Sequence, residues 1–274
     1  MSKKLRIGGA SGFWGDSVVA TPQLLNGNNL DFIVYDYLAE ITMSIMARAR
    51  AKDPSKGYAI DFVSSVMKLN LKQIADQKVK ILSNAGGVNP QACAEAIRAL
   101  IKELNLDLKV AVVLGDDLLE NKDKFLDSGV QEMYSDEKFP ETDKIASINA
   151  YLGAFPIAQA LNDGADIVIT GRSVDSAVTL AACIHTYGWK EDEYDKLASG
   201  SLAGHIIECG TQSTGGNFTD WELSSKNLHM IGYPIVDVSE NGEFICTKSN
   251  NTSGLVSFGT VAEQMLYEIG NPQA

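Results

Sequence analysis

The sequence predicts an α/β protein with an open, mostly parallel sheet, helices on both faces in a Rossmann-like three-layer arrangement, and a C-terminal β-hairpin. Short apolar segments alternate five times with helix-like segments, which is typical of strand–helix units in a parallel sheet. After residue 188 this alternation stops. Two β-rich segments then flank an Asn241–Gly242 pair, which favours a type I′ hairpin turn. A TIM-like barrel is the alternative architecture, but five strands and a hairpin fit an open sheet better.

The five predicted strands cover residues 5–7, 30–35, 79–82, 109–114 and 166–170. The fourth of them is almost continuously apolar, as expected of a parallel strand covered by helices on both faces. Residues 235–238 and 244–248 are the predicted hairpin strands.

Helices are predicted over residues 39–50, 90–104, 150–162, 175–187 and 260–269. In the first, Ile41, Ile45 and Ala49 are four residues apart, which predicts that they form its buried face. Asn89 and Pro90 are residue types typical of the N-cap and the first position of the second helix.

At 274 residues the chain is long for one simple domain and short for two, so one large domain is expected. We assign residues 1–190 to a parallel α/β core and 191–274 to a C-terminal extension of the same domain. This extension contains a loop, the hairpin and a last helix that Gly270 ends. Residues 51–76 are predicted to be a long insertion, and the acidic segment 117–144 an exposed excursion.

The formal net charge of −12 argues against nucleic acid and anionic membranes as partners, because no cluster of lysines and arginines reverses it locally. The N-terminus has no apolar signal-peptide region, and no stretch approaches the ~20 apolar residues that span a bilayer. The four cysteines are widely spaced and form no CxxC pair, as expected of reduced thiols. A soluble, cytoplasmic protein is therefore expected.

In open parallel sheets, ligands bind beyond the carboxyl ends of the strands. All five strand ends here are rich in Gly, Asp and Asn, a stronger signal than one polar loop gives. The first loop, residues 8–16, is neither a GxGxxG nor a P-loop motif. Its candidate substrate-binding residues are Gly9, Ser11, Gly12 and Trp14. Alternatively, the glycines only form tight turns and the tryptophan packs under its own loop.

The loop at residues 84–90 joins glycines to the start of a helix, and helix N-termini attract anions. Asn84, Gly86, Gly87 and Asn89 are therefore predicted to cradle a substrate carboxylate or phosphate. Alternatively, Asn89 only caps the helix, and both roles are compatible.

Charged side chains follow three of the strands. Arg172 is predicted to form a bidentate pair with an anionic group of the substrate, the alternative being a structural salt bridge to Asp175 or Asp116. Asp36 and Asp175 are further candidates for binding, and Asp116 for acid–base catalysis. A hard cation at Asp36 is conceivable, but no His/Cys spacing supports zinc, so no metal is predicted and the cofactor is left unassigned.

His205 and Glu208 are three residues apart, so a helix would place them on one face as a base and its orienting carboxylate. With Asp116 they form the predicted catalytic set. The alternatives are a structural histidine and, for the neighbouring Cys209, a nucleophile or an inert small hydrophobe. The Gly/Asn loop that follows, with Gly216 and Asn217, is expected to line the same site.

Six segments in order carry a resemblance to a known family: GGASGFWGD (8–16), DYLAE (36–40), NAGGVNP (84–90), ITGR (169–172), GHIIECG (204–210) and GGNFTDW (215–221). Through them the chain resembles the acyclic terpene utilisation family over residues 6–270. The resemblance implies a cytosolic catabolic protein that takes part in the breakdown of citronellol- or geraniol-like terpenoids and related branched acids through CoA thioesters. It implies no particular catalytic residues.

Two functions are consistent with these features. The first is an enzyme, a hydratase or lyase acting on a small anionic substrate or CoA thioester. The second is a non-catalytic ligand-binding or scaffolding subunit of a larger catabolic complex. In either case we expect a homo-oligomer or a partner subunit.

Overall fold

The computed structural model describes residues 4–16, 18–27 and 29–269, and it confirms the predicted α/β class. Seven strands form one sheet in the order β4–β5–β3–β2–β1–β6–β7. The strands are β1 (Leu5–Gly9), β2 (Phe32–Tyr35), β3 (Lys80–Ser83), β4 (Val110–Val113), β5 (Ile167–Thr170), β6 (Pro234–Val238) and β7 (Phe244–Lys248). β1 to β5 are parallel, whereas β6 pairs antiparallel with both β1 and β7. The hairpin therefore extends the main sheet.

The α-helices of the described residues are α1 (Ala20–Leu25), α2 (Glu40–Lys52), α3 (Lys68–Gln77), α4 (Pro90–Glu103), α5 (Lys122–Asp127), α6 (Ala154–Asn162), α7 (Ala177–Tyr187), α8 (Tyr194–Glu208) and α9 (Phe258–Leu266). No helix within the described residues has the length and apolar character needed to cross a membrane.

Two apolar clusters on opposite faces of the sheet form the core. Side chains of α1 to α4 pack on one face, and those of α6 to α8 pack on the other. The strands contribute side chains to both clusters. In β5, for example, Ile167 and Ile169 lie in the first cluster and Val168 lies in the second. This arrangement is the predicted three-layer architecture.

At the carboxyl ends of β3 and β5, the connections to the following helices leave the sheet towards opposite faces. These strands are neighbours, yet β3 continues into α4 on one face whereas β5 continues into α7 on the other. Because the two segments diverge there, their loops mark the position at which ligands bind in open α/β sheets.

The predicted buried face of α2 is wrong. Ile41 is 71% exposed and Ile45 45% exposed, whereas Met43, Met46 and Ala47 lie in the core. The flexible methionine side chains fill the core positions, which leaves the isoleucines outside.

The segment predicted as an insertion, residues 51–76, is instead part of the layer on one face. It forms a π-helix, Phe62–Met67, that continues into α3, and Phe62, Leu71 and Ile74 are fully buried. β4, predicted to be covered on both faces, is the edge strand and is only half-buried over most of its length.

The hairpin connection and the last helix also differ in detail. A type I′ turn requires positive φ at both central residues, but of the Asn241–Gly242 pair only Gly242, at φ +92°, has it. The glycine instead occupies the left-handed position that is typical of a longer hairpin loop. The last helix ends at Leu266, and Gly270 lies outside the described residues.

Candidate active site

Three carboxyl groups meet at the carboxyl edge of the sheet. Asp36 follows β2, Asp175 follows β5, and Glu208 is the last residue of α8. One oxygen of each side chain lies within 4.8 Å of the other two. We call Asp36, Asp175 and Glu208 the carboxylate group. Asp36 and Glu208 are only 4% and 7% exposed.

Asp36 is held by the loop after β3. Its Oδ1 accepts hydrogen bonds from Asn84 Nδ2 at 2.5 Å and from the Leu38 amide at 3.2 Å. Asn84 is itself fully buried, and its Oδ1 accepts from the Tyr37 amide. Burial and the neighbouring Asp175 raise the pKa of Asp36 to about 7, against the opposing effect of the Asn84 hydrogen bond.

Glu208 is the second perturbed carboxyl group. Burial and the charge of Asp36 raise its pKa to about 9, so it is protonated near neutral pH. The Cys209 thiol donates to Glu208 Oε1 at 3.2 Å. Burial and Glu208 raise the pKa of this thiol, which argues against Cys209 as a nucleophile.

His205 lies one helical turn before Glu208, as the spacing predicted. Its Nδ1 is 3.6 Å from Glu208 Oε1, and its Nε2 is 3.2 Å from the carbonyl oxygen of Met265 in α9. If Nε2 carries the proton and donates to that carbonyl, Nδ1 presents its lone pair to Glu208. The side chain is partly exposed, so it connects the carboxylate group with solvent.

Arg172 forms an ion pair with Asp175, with Nη1 2.7 Å from Oδ1, which is the alternative considered for it, and its binding of a substrate anion stays a prediction. Nη1 also donates to the carbonyl oxygen of Leu38, and Nη2 is 3.5 Å from Glu40 Oε1. The ring of Tyr151 covers the guanidinium, whose carbon is 4.2 Å from the ring centre, and the Tyr151 hydroxyl donates to Glu40. Sequence reasoning missed both Glu40 as a partner and Tyr151, because nothing in the sequence brings residue 151 beside residue 172.

Asp116 has a different position from the one that its predicted catalytic role suggested. Its Oδ2 accepts from the Arg172 amide at 2.8 Å and from Asn149 Nδ2 at 2.9 Å, and its carboxylate packs against Gly171. Burial raises its pKa. Asp116 thereby joins the loops after β4 and β5, and it is not part of the carboxylate group.

The loop after β1 packs directly on the end of α8. A Cβ at Gly9 would be 2.2 Å from the carbonyl oxygen of Ile207, and one at Gly12 would be 2.8 Å from the backbone of Cys209. Ser11 Oγ donates to the backbone oxygen of Asp36 at 2.9 Å. These glycines hold Glu208 close to Asp36 by letting the backbones approach.

Trp14 is partly buried and its Nε1 donates to Asp61 Oδ1, just before the π-helix. It packs against the core on the α1–α4 face, as in the alternative considered for it. A ligand-stacking role stays a prediction.

In the loop at residues 84–90, backbone amides and the Asn89 side chain donate hydrogen bonds to backbone carbonyl oxygens of the same chain. The Gly87, Val88 and Asn89 amides donate to the carbonyl oxygens of Asn84, Gly57 and Gly86, respectively. Asn89 caps α4 through Ala92, and its side-chain amide donates to two carbonyl oxygens of the 54–56 segment. A Cβ at Gly86 would be 2.4 Å from the Thr170 carbonyl oxygen. In this conformation these amides are occupied, and an anion cradle here stays a prediction.

Gly216 and Asn217 are exposed in a turn that follows the end of α8. The Gly216 amide donates to the Thr211 carbonyl oxygen, and two residues beyond the turn the Thr219 amide donates to Glu263 of α9. These contacts place the turn beside α9, and its role in binding stays a prediction.

The five loops nevertheless form one connected region, because hydrogen bonds link the loop after β2 to those after β1, β3 and β5, and the β5 loop to β4. A cavity of about 600 Å³ lies elsewhere, at the amino ends of β1 to β3, where Lys78, Lys80 and His185 contribute to its lining. We assign the chemistry to the carboxyl edge because Asp36 and Glu208, two acid–base groups with raised pKa values, meet there.

The carboxylate group is suited to proton transfer. Arg172 balances the charge of Asp175, but Asp36 and Glu208 are like charges buried at this spacing, which is unstable unless protons or a cation reduce the charge. Shared protons give a donor and an acceptor side by side, and the same oxygens have a spacing that a hard divalent cation could bridge.

The fold and the site together define an α/β protein with an open parallel sheet and buried carboxyl groups at its carboxyl edge. The family model described as "Acyclic terpene utilisation family protein AtuA" matches residues 5–273, and the chain belongs to this family. Membership associates it with acyclic terpene utilisation. Comparisons with curated proteins and with solved structures each give no match.

Proposed function

We propose that the chain is an enzyme that moves protons on a small carboxylate or acyl-CoA thioester of terpenoid or branched-acid breakdown, as a hydratase or lyase does. The observation that carries this proposal is that three carboxyl groups from three separate elements, two of them buried, lie within 4.8 Å of one another. Groups whose pKa values are moved apart by their surroundings are typical of acid–base sites.

The two perturbed residues have complementary roles in this proposal. Near pH 7.5, Asp36, with its pKa of about 7, is largely ionised and accepts a proton, while Glu208, with its pKa of about 9, is protonated and donates one. In hydration, Asp36 takes a proton from water while the water oxygen bonds to one alkene carbon. Glu208 donates its proton to the other alkene carbon. Elimination of water is the reverse. To restore both groups, His205 passes a proton from solvent to Glu208, and Asp36 releases to solvent the proton that it took from water.

Exchange of substrate C–H protons with D2O, followed by NMR over a panel of short CoA thioesters and free branched acids, tests this proposal. We expect exchange with at least one compound, and Glu208→Gln should slow it ~10²–10⁴-fold, the usual contribution of a positioned acid or base. Glu95→Gln, on the exposed face of α4, is the control and should exchange at the wild-type rate.

Exchange that Glu208→Gln leaves unchanged would contradict the proposed role of the carboxylate group. Binding of a panel compound without any exchange would favour the alternative, a ligand-binding subunit with no chemistry of its own.

A further inference from the structure

A groove of about 530 Å³ runs between α2 and the return of the acidic excursion. Ser44, Ala47 and Arg48 of α2 form one wall. Residues 139–140 and 144–148 form the other, which is largely apolar and includes Phe139 and Ile148. The groove lies outside the carboxylate group and shares no lining residue with it.

Both walls of the groove lead to the candidate active site. Along α2, Ser44 is one turn beyond Glu40, which contacts Arg172. On the opposite wall, the chain continues from Ile148 to Tyr151, which covers Arg172 and donates to Glu40. From Glu40 to Arg48 the helix rises roughly 12 Å, at 1.5 Å for each of eight residues.

Two of the residues that line the groove carry positive charge, and Arg48 lies two turns of α2 beyond Glu40. Arg48 and Lys144 are exposed lining residues, and neither has a carboxylate partner within the part of the chain that the structure describes. In a molecule of net charge −12, two cationic side chains beside an apolar channel select for a ligand with an anionic end.

We propose that this groove binds an extended organic anion, with its apolar chain along α2 and its anionic group at Arg48 and Lys144. The opposite end of the chain then points towards Tyr151 and the carboxylate group. The inference rests on the proposed function in one respect, that the reacting carbon lies at this second end. A carboxylate and a phosphate ester share the required chemistry.

Calorimetric titration with octanoate, octyl phosphate and octylammonium tests the groove without any turnover. We expect at least one of the two anions to bind, octylammonium to bind at least about tenfold more weakly, and the stronger anion to identify the anionic group. Arg48→Gln and Lys144→Gln should each weaken anion binding roughly tenfold, through loss of a charge-assisted contact. Lys52→Gln, at the end of α2 and outside the groove, should bind like wild type.

A steric pair completes the experiment. Ser44→Trp fills the groove and should abolish anion binding, whereas Ile45→Trp, on the neighbouring exposed face of α2, should leave it intact. Thermal melts check that both variants fold. Three results would each overturn the proposal that the groove binds an organic anion. They are the absence of anion binding by wild type, equal binding of octylammonium, and wild-type affinity in Ser44→Trp. None of these results affects the D2O exchange test, so the two proposals fail separately.

Discussion

The loop at residues 84–90 and the carboxylate group lie at the same edge of the sheet, but they satisfy their polar groups in opposite ways. In the loop, successive amides and the Asn89 side chain bond to carbonyl oxygens of the chain itself. In the carboxylate group, acidic side chains face one another, and burial and mutual repulsion raise the pKa of Asp36 and Glu208.

This difference distinguishes polar groups that stabilise the fold from polar groups that are candidates for a chemical function. A buried polar group with internal partners stabilises one conformation, so the fold accounts for the bonded amides of this loop, whereas the Asn84 side chain belongs to the site through its hydrogen bond to Asp36. Like charges buried together cost stability, and such conflicts with folding are concentrated at functional sites. The glycine-rich loop was the more conspicuous feature of the sequence, but the carboxylate group is the stronger candidate in the structure.

We expect a large loss of stability from a substitution in the loop at residues 84–90. Gly86→Ala places a Cβ within 2.4 Å of the Thr170 carbonyl oxygen and 2.7 Å of Pro90 Cα, and neither backbone can move easily. We expect the free energy of unfolding to fall by about 3 kcal/mol or more.

Denaturant unfolding measures this change, with Gly153→Ala as the control. An added Cβ at Gly153 meets nothing within 4 Å, so its cost should stay below about 1 kcal/mol. Equal costs at the two positions would show that the loop is not the close-packed junction described here.

An effect of the opposite sign is expected at the carboxylate group. The pKa of Glu208 is higher in the folded protein, about 9, than its ordinary value of 4.5, so the folded state binds more protons between these values. The free energy of unfolding therefore falls as pH rises through this window. Glu208→Gln removes the ionisation, so its stability relative to wild type should rise by about 1.4 kcal/mol for each pH unit within this window.

Melting temperatures of wild type, Glu208→Gln and the exposed control Glu95→Gln from pH 6 to pH 9 would measure this difference. Wild type and the control should lose stability in parallel while Glu208→Gln loses less. Three parallel curves would mean that Glu208 is not held protonated by its surroundings.

The layers of the fold were predictable because periodicity and turn residues are local signals. Five strand ends, the Asn89 cap and the hairpin strands could be read from the chain. The buried face of α2 could not, because Ile41 and Met43 are equally acceptable core residues and packing decides between them. Likewise, β4 has a buried-strand sequence but lies at the edge of the sheet.

The candidate site was predictable only in its parts. Asp36, Asp175 and Glu208 each stood out from their position in a loop or beside His205, but their meeting depends on the packing of α8 against β1 through Gly9. Asp116 was chosen on equal grounds and lies elsewhere, bonded to Asn149 and the Arg172 amide. Tyr151 reaches Arg172 only because the acidic excursion returns to the sheet edge.

Carbon-13 NMR titration of the side-chain carboxyl carbons tests the central claim, that buried carboxyl groups share protons near neutral pH, most directly. We expect one transition near pH 7 that disappears in Asp36→Asn and one near pH 9 that disappears in Glu208→Gln. If all carboxyl signals complete their titration below about pH 5, in the ordinary range of Asp and Glu, the carboxylate group is not an acid–base centre.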